Sequence, residues 1–157
     1  MRNVRGKTGD QLAGELAPSD TLRLIITTDT SESIKALTEI AEKIGKELAD
    51  DVTTSQIRNI FGTVRVIEQE VKTLDDDKPL PIRVQRDLQM LRPKLAYQYG
   101  RVQGRDDDPK KAAMGALTGI LSEAIALVES DVRRFRNFMD FFEAILAYHR
   151  RYGGRTN

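Results

Sequence analysis

The chain has 157 residues, 39% of them hydrophobic and 31% charged, with 25 basic and 24 acidic side chains and no cysteine. That length suits one domain with a sizeable core. A formal charge of +1 excludes a bulk polycation, the lack of cysteine excludes disulfides, zinc ribbons and thiol catalysis, and no run of about 18 apolar residues predicts a transmembrane helix. A cysteine-free chain suits a reducing cytoplasm.

Residues 1–30 mix Gly6, Gly9, Gly14 and Pro18 with polar side chains around one apolar run at residues 22–26. This composition predicts a flexible N-terminal arm. The apolar run reads as a local docking segment or as a short strand. The first ten residues carry no apolar stretch of the secretory kind.

A first helix is expected from about residue 31 to 49, with Ile34, Leu37, Ile40, Ala41, Ile44 and Leu48 buried and Glu32, Glu39, Glu42 and Glu47 outside. The second opens on Thr53, which with Gln56 fits a capping box. Ile57, Ile60, Phe61, Val64, Ile67, Val71 and Leu74 then recur at helical spacing. Arg58, Arg65 and Lys72 fall seven residues apart along one edge of that stripe. Spacing alone favours a solvated flank, and a phosphate track is the alternative.

Pro81 is placed to start a third helix, whose apolar positions are Ile82, Leu88, Leu91, Leu95 and Tyr99. Pro93 predicts a kink or a split at Arg92. Asp108 and Pro109 form an N-cap and first-turn pair for a fourth helix with Met114, Leu117, Leu121, Ala124, Ile125 and Val128 inside. Gly115 and Gly119 would let another helix approach closely. The last helix, about residues 131–152, is the most apolar, through Val132, Phe135, Phe138, Met139, Phe142, Ile145, Leu146 and Tyr148, and Gly153 and Gly154 end it. The expected fold is all-α, a single-domain bundle of about five helices: an arm over residues 1–30 and a helical domain over 31–157.

Candidate chemistry is sparse. His149 is the single histidine and reads as a packed ring or a helix-terminal cation. The aspartate runs 75–77 and 106–108 read as solvated turns and caps rather than as cation sites. No phosphate-binding glycine loop follows a strand. No catalytic residue, metal or cofactor is expected, and a small enzyme built on Glu143 and Tyr97 is the weakest reading. Residues 91–101 interleave Arg92, Lys94 and Arg101 with Tyr97 and Tyr99. Such cations can neutralise phosphates and such rings can stack on bases; equally, the tyrosines can sit half in the core with wet hydroxyls. Arg133, Arg134 and Arg136 form a further cluster, and Arg150, Arg151 and Arg155 another. Charge is polarised along the chain: residues 29–51 hold seven acids and three bases, residues 133–157 six bases and two acids. Without a base-reading motif, nucleic-acid contact would be sequence-independent.

Three segments, TTSQIRNIF at 53–61, LRPKLAYQYGR at 91–101 and FEAILAYHRRYGG at 142–154, together resemble the small helical subunit of type III-A CRISPR effector complexes, the Csm type. Their order and separation carry the resemblance across residues 53–154. It implies a non-catalytic, cytoplasmic, prokaryotic scaffold subunit of antiviral defence. Such a subunit stacks in several copies beside a large polymerase-like subunit and repeated backbone subunits. It holds crRNA and target RNA by the backbone of their duplex, with no membrane role. Carried onto this sequence, the motifs make Arg58, Lys94, Arg101 and Arg150 RNA-contact candidates, followed by Arg65, Arg92 and Tyr97. A helical protein–protein adaptor without RNA contact is the alternative, and self-association, as stacked copies or a dimer, is expected in either case.

Overall fold

A computed structural model describes residues 6–154. Within them lie seven helices: α1 (Gly9–Leu16), α2 (Ser19–Thr27), α3 (Ser31–Leu48), α4 (Thr54–Val71), α5 (Ile82–Arg101), α6 (Pro109–Val128) and α7 (Val132–Arg151). Among the described residues the one extended pairing is an isolated bridge from Pro79 to Asp131. There the Leu80 amide donates to the Ser130 carbonyl at 2.8 Å and ties the α4–α5 connection to the α6–α7 turn. The fold is all-α, as the hydrophobic periodicity predicts.

Local chemistry explains where the helices begin. At α4, Thr53 Oγ1 accepts from the Gln56 amide at 3.0 Å and Gln56 Oε1 accepts from the Thr53 amide at 2.8 Å. The same reciprocal cap starts α1 through Thr8 and Gln11, and α3 through Thr30 and Ser33. Each cap satisfies orphan amides of a first turn and contributes about 1 kcal/mol. Asp131 caps α7 through the Arg134 amide at 3.0 Å. Asp108 precedes Pro109 at the start of α6 as expected, but its carboxylate turns back to the Arg105 amide at 2.9 Å and makes no helix cap.

Helices α6 and α7 form the middle of the bundle. Helix α3 lies along α7, α5 lies along α6, and α4 touches both α5 and α7. By length and composition α6 could cross a membrane, and 61% of that stretch is buried inside the bundle. Phe135, Phe138, Phe141 and Phe142 of α7 are all fully buried, and Phe61 of α4 meets the Phe142 ring edge-on at 5.0 Å.

The segment expected as an arm departs most from expectation. Residues 9–27 form α1 and α2, and Leu12, Leu16, Leu22, Ile25 and Ile26 enter the common core. Their spacing is helical once the two short segments are read separately around Pro18. Residues 1–5 and Arg155 lie outside the described residues. Gly9 packs on Gly115 so closely that a methyl on Gly9 would lie 2.7 Å from the Gly115 Cα. Gly115 thus serves the close approach expected of it, whereas a methyl on Gly119 would meet nothing within 4 Å. Helix α5 runs through Pro93 without splitting. The proline removes only the bond to the Gln89 carbonyl, at an exposed residue. Ile34 and Ile82, both expected inside, are 63% and 75% exposed. Each sits in the first turn of its helix, short of the neighbours that cover the following turns.

A close backbone crossing joins α3 to α7. A methyl on Gly45 would lie 2.6 Å from the His149 backbone nitrogen. The His149 ring is 1% exposed and its Nε2 lies 2.7 Å from the Val52 carbonyl oxygen; this is the packed-ring reading of that residue. Gly45→Ala must push backbone apart and is expected to cost roughly 1–3 kcal/mol. Gly62→Ala, in the exposed middle of α4 with nothing within 4 Å, is expected to add about 0.5–1 kcal/mol. Urea unfolding midpoints at constant slope check both; equal effects would refute the backbone-contact reading of Gly45.

Candidate nucleic-acid interface

The helical repeat sorts the candidate residues before any contact is considered. At about 100° per residue, Lys94, Tyr97 and Arg101 share one face of α5, and Arg92 points nearly opposite. The structure bears this out. Lys94 and Tyr97 line the groove between α4 and α5. Arg92 donates from Nε to Ser122 Oγ of α6 at 2.9 Å and lines a different cleft, shared with Asp10, Tyr99 and Asp106.

Arg58 occupies the crest of α4 and faces two clefts. On one side, a cleft of about 340 Å³ between α4 and α7 gathers Arg58, Arg65 and Arg150 over Phe61 and Leu146. On the other, a cleft of about 530 Å³ between α4 and α5 gathers Arg58 and Lys94 with Val66 and Met90. The fold therefore brings Arg150, Arg58, Lys94 and Tyr97 onto one side of the bundle. Arg101 continues along α5, its guanidinium 5.9 Å from the Tyr97 ring centroid.

These cations differ in what already occupies them. Arg65 lies 3.6 Å from Glu68 and 3.8 Å from Glu143, and over the Phe61 ring. Such half-exposed pairs contribute little to stability, but they reduce the charge offered to a polyanion. Arg58, Lys94, Arg101 and Arg150 make no ion pair among the described residues. The third arginine cluster is largely engaged within the fold. Arg134 bonds the Leu127 carbonyl and Glu129, both at 3.1 Å, and Arg136 bonds Asp76 at 2.8 Å and the Leu74 carbonyl at 2.6 Å.

The two tyrosines of α5 have separate fates. Tyr99 is built into the structure: its hydroxyl donates to Asp106, and Lys111 Nζ sits 4.4 Å from its ring centroid while bonding the Val102 carbonyl at 2.7 Å. Tyr97 is 66% exposed. Asn59 and Gln98 also line the groove beside Tyr97, and neither was singled out from sequence. Asn59 directly follows Arg58 and Gln98 follows Tyr97, so adjacency to candidates was the available signal. Among the described residues no group of three acidic or histidine side chains could hold a metal ion.

The family model described as Csm2 Type III-A matches residues 31–155. The chain belongs to that family. It is a small structural subunit of the type III-A CRISPR effector and works in a complex with other Csm subunits. No curated protein matches the chain. The Csm2 match takes in α3 to α7 and every candidate cation, and leaves α1 and α2 before its start.

In this Csm2 chain the Tyr99 hydroxyl is pushed up to about 12 from the ordinary 10.0, first by its hydrogen bond to Asp106, then by burial and by the negative charges of Asp106 and Asp10. Because the folded value lies above the unfolded one, the contribution to stability is complete below pH 10.0 and falls as pH rises towards 12. Asp106→Asn removes the charged acceptor and is expected to bring Tyr99 back towards 10.0. Phenolate absorbance during alkaline titration checks this, and an unshifted step would show that Asp106 is not the cause.

Proposed function

We propose that the chain holds the guide–target RNA duplex of its complex by backbone contacts that ignore sequence. The observation that carries this reading is the set of Arg58, Lys94, Arg101 and Arg150, four exposed cations that make no ion pair among the described residues, the first two and Arg150 around adjoining clefts and Arg101 beside Tyr97. Cations whose charge is not neutralised within the fold release the counterions of a phosphate chain on binding. Arg65 and Tyr97 border the same surface and act secondarily. Arg92 faces another cleft and, if it touches RNA, does so from a separate surface. The subunit stacks in several copies in the cytoplasm against the large polymerase-like subunit and the repeated backbone subunits, contributes no catalytic group, and contacts crRNA and target RNA together.

One observation favours the adaptor alternative, in which the surface meets only protein. Val66, Met90 and Tyr97 are 69%, 53% and 66% exposed beside the cations, and exposed apolar side chains gathered around a groove mark interaction surfaces. The two readings separate on salt. RNA affinity of the assembled complex is expected to fall with salt concentration, and Arg58→Ala and Lys94→Ala are each expected to flatten the log–log slope by about 0.7–0.9. Unchanged affinity and slope in the double variant, with the complex intact, would leave the adaptor.

A further inference from the structure

Between α4 and α5 the bundle opens into a slot of about 320 Å³ whose floor is apolar, including Ile60, Leu91 and Leu95, and whose mouth carries Tyr97, Lys94, Asn59 and Gln98. We propose that this slot takes one unpaired RNA base, with the phosphates on either side of it held by Lys94 and Arg58. The inference rests on the RNA-holding reading and adds a ligand that a duplex backbone does not supply. A base inside a duplex has both faces covered by its neighbours, so only a base out of the stack can lie against a tyrosine.

The chemistry of the slot matches the anisotropy of a nucleobase. Its two faces are apolar and suit the floor and the Tyr97 ring, where stacking tolerates any base. Its edge is polar and needs hydrogen-bond partners, since an unpaired amide-like group in an apolar site is costly. At the mouth, Asn59 and Gln98 each offer a carbonyl and an amino group, and neither side chain has a hydrogen-bond partner among the described residues. An amide that presents both a donor and an acceptor can meet more than one base edge. An apolar anchor from a protein partner would fill the floor but leave both amides and both cations idle. The charges also agree with this choice: Lys94 at the mouth and Arg58 in the adjoining cleft make no ion pair among the described residues, Asp87 being the one acid that lines that cleft, and the Arg101 guanidinium lies 5.9 Å from the Tyr97 ring centroid.

The test uses the full chain in its assembled complex with two probes of equal charge: a uridine oligoribonucleotide and its abasic counterpart of the same length. The native chain is expected to bind the uridine oligomer about 5- to 100-fold more tightly. Tyr97→Ala should abolish that preference and leave the salt slope unchanged, Tyr97→Phe should keep it, and Lys94→Ala should flatten the slope while the preference survives. Equal binding of the two probes by the native chain overturns the base slot. So does a preference that survives Tyr97→Ala, or a Tyr97→Ala variant that releases a protein subunit with RNA affinity intact. If the base preference fails but Lys94→Ala still flattens the slope, the backbone-holding reading stands without the slot. If neither probe responds to either cation, both ideas fall together.

Discussion

The close crossing of α3 and α7 is the contact on which the geometry of the cationic surface depends. Gly45 lets two helix backbones touch, and the ring of His149 reaches from α7 to the Val52 carbonyl one residue before the Thr53 cap of α4. A second tie runs from Thr54 Oγ1 to the Gly154 carbonyl at 3.4 Å. The C-terminal turn of α7 and the N-terminal turn of α4 are thus fixed to each other by a buried side chain and a capped backbone. Arg150 follows His149, and Arg58 stands one turn into α4. Their shared cleft is a consequence of the staple and needs no direct contact between the two arginines, whose like charges would resist one. The Nδ1 of His149 is buried without a partner, so the ring stays in place through packing and one bond. The packed ring that the sequence offered as one reading of His149 thus ties together the two helix ends that carry Arg58 and Arg150.

Much of the bundle was legible because its signals are local. Thr53 with Gln56, Asp131 before α7 and Gly153 after it each act within one helical turn, and each boundary fell within a residue of expectation. On α5 the stripe Leu88, Leu91, Leu95 continues to Tyr99 by spacing alone. That separates a structural tyrosine from Tyr97, about 200° away. What stayed hidden is what depends on a neighbour. Ile34 and Ile82 obey the right period but sit in first turns that no other helix covers. Glycine content suggested a flexible arm, yet Gly9 is required where α1 crosses α6 at Gly115. Gly45 carried no signal, because its role exists only once α3 and α7 are side by side.

Folding also redistributes the charge that the linear sequence shows as polarised. The basic segment that begins at Arg133 meets acids from elsewhere: Arg136 pairs with Asp76 of the α4–α5 connection and Arg134 with Glu129. Arg65 is shared between Glu68 on its own helix and Glu143 on α7. Tyr152 donates to Glu42 of α3 at 2.6 Å, so part of the acidic helix is occupied as well. A net charge of +1 therefore understates the local field. The cluster at Arg134 and Arg136 is consumed in holding helix ends and turns, while Arg58, Lys94 and Arg150, which make no ion pair among the described residues, lie around the α4–α5 and α4–α7 clefts. Distribution after folding, and not total charge, is what a polyanion meets.

The boundary of the Csm2 match at Ser31 does not coincide with a boundary of the core. Helix α6 is apolar around most of its circumference, with residues from Ala112 to Val128 buried on several faces. Such a helix must be covered on all sides. Helix α5 covers one side and α7 another, and α1 with α2 lies over what remains, through the Gly9–Gly115 contact and through Leu12, Leu16 and Leu22. Asn137 of α7 ties this cover down, donating to the Ile26 carbonyl at 3.1 Å. Leu22, Ile25 and Ile26 are each no more than 1% exposed, a burial that helices resting loosely on a finished surface would not reach. The two N-terminal helices close the hydrophobic interior of this chain, and the cationic side of the bundle, carried by α4, α5 and α7, is left uncovered by them.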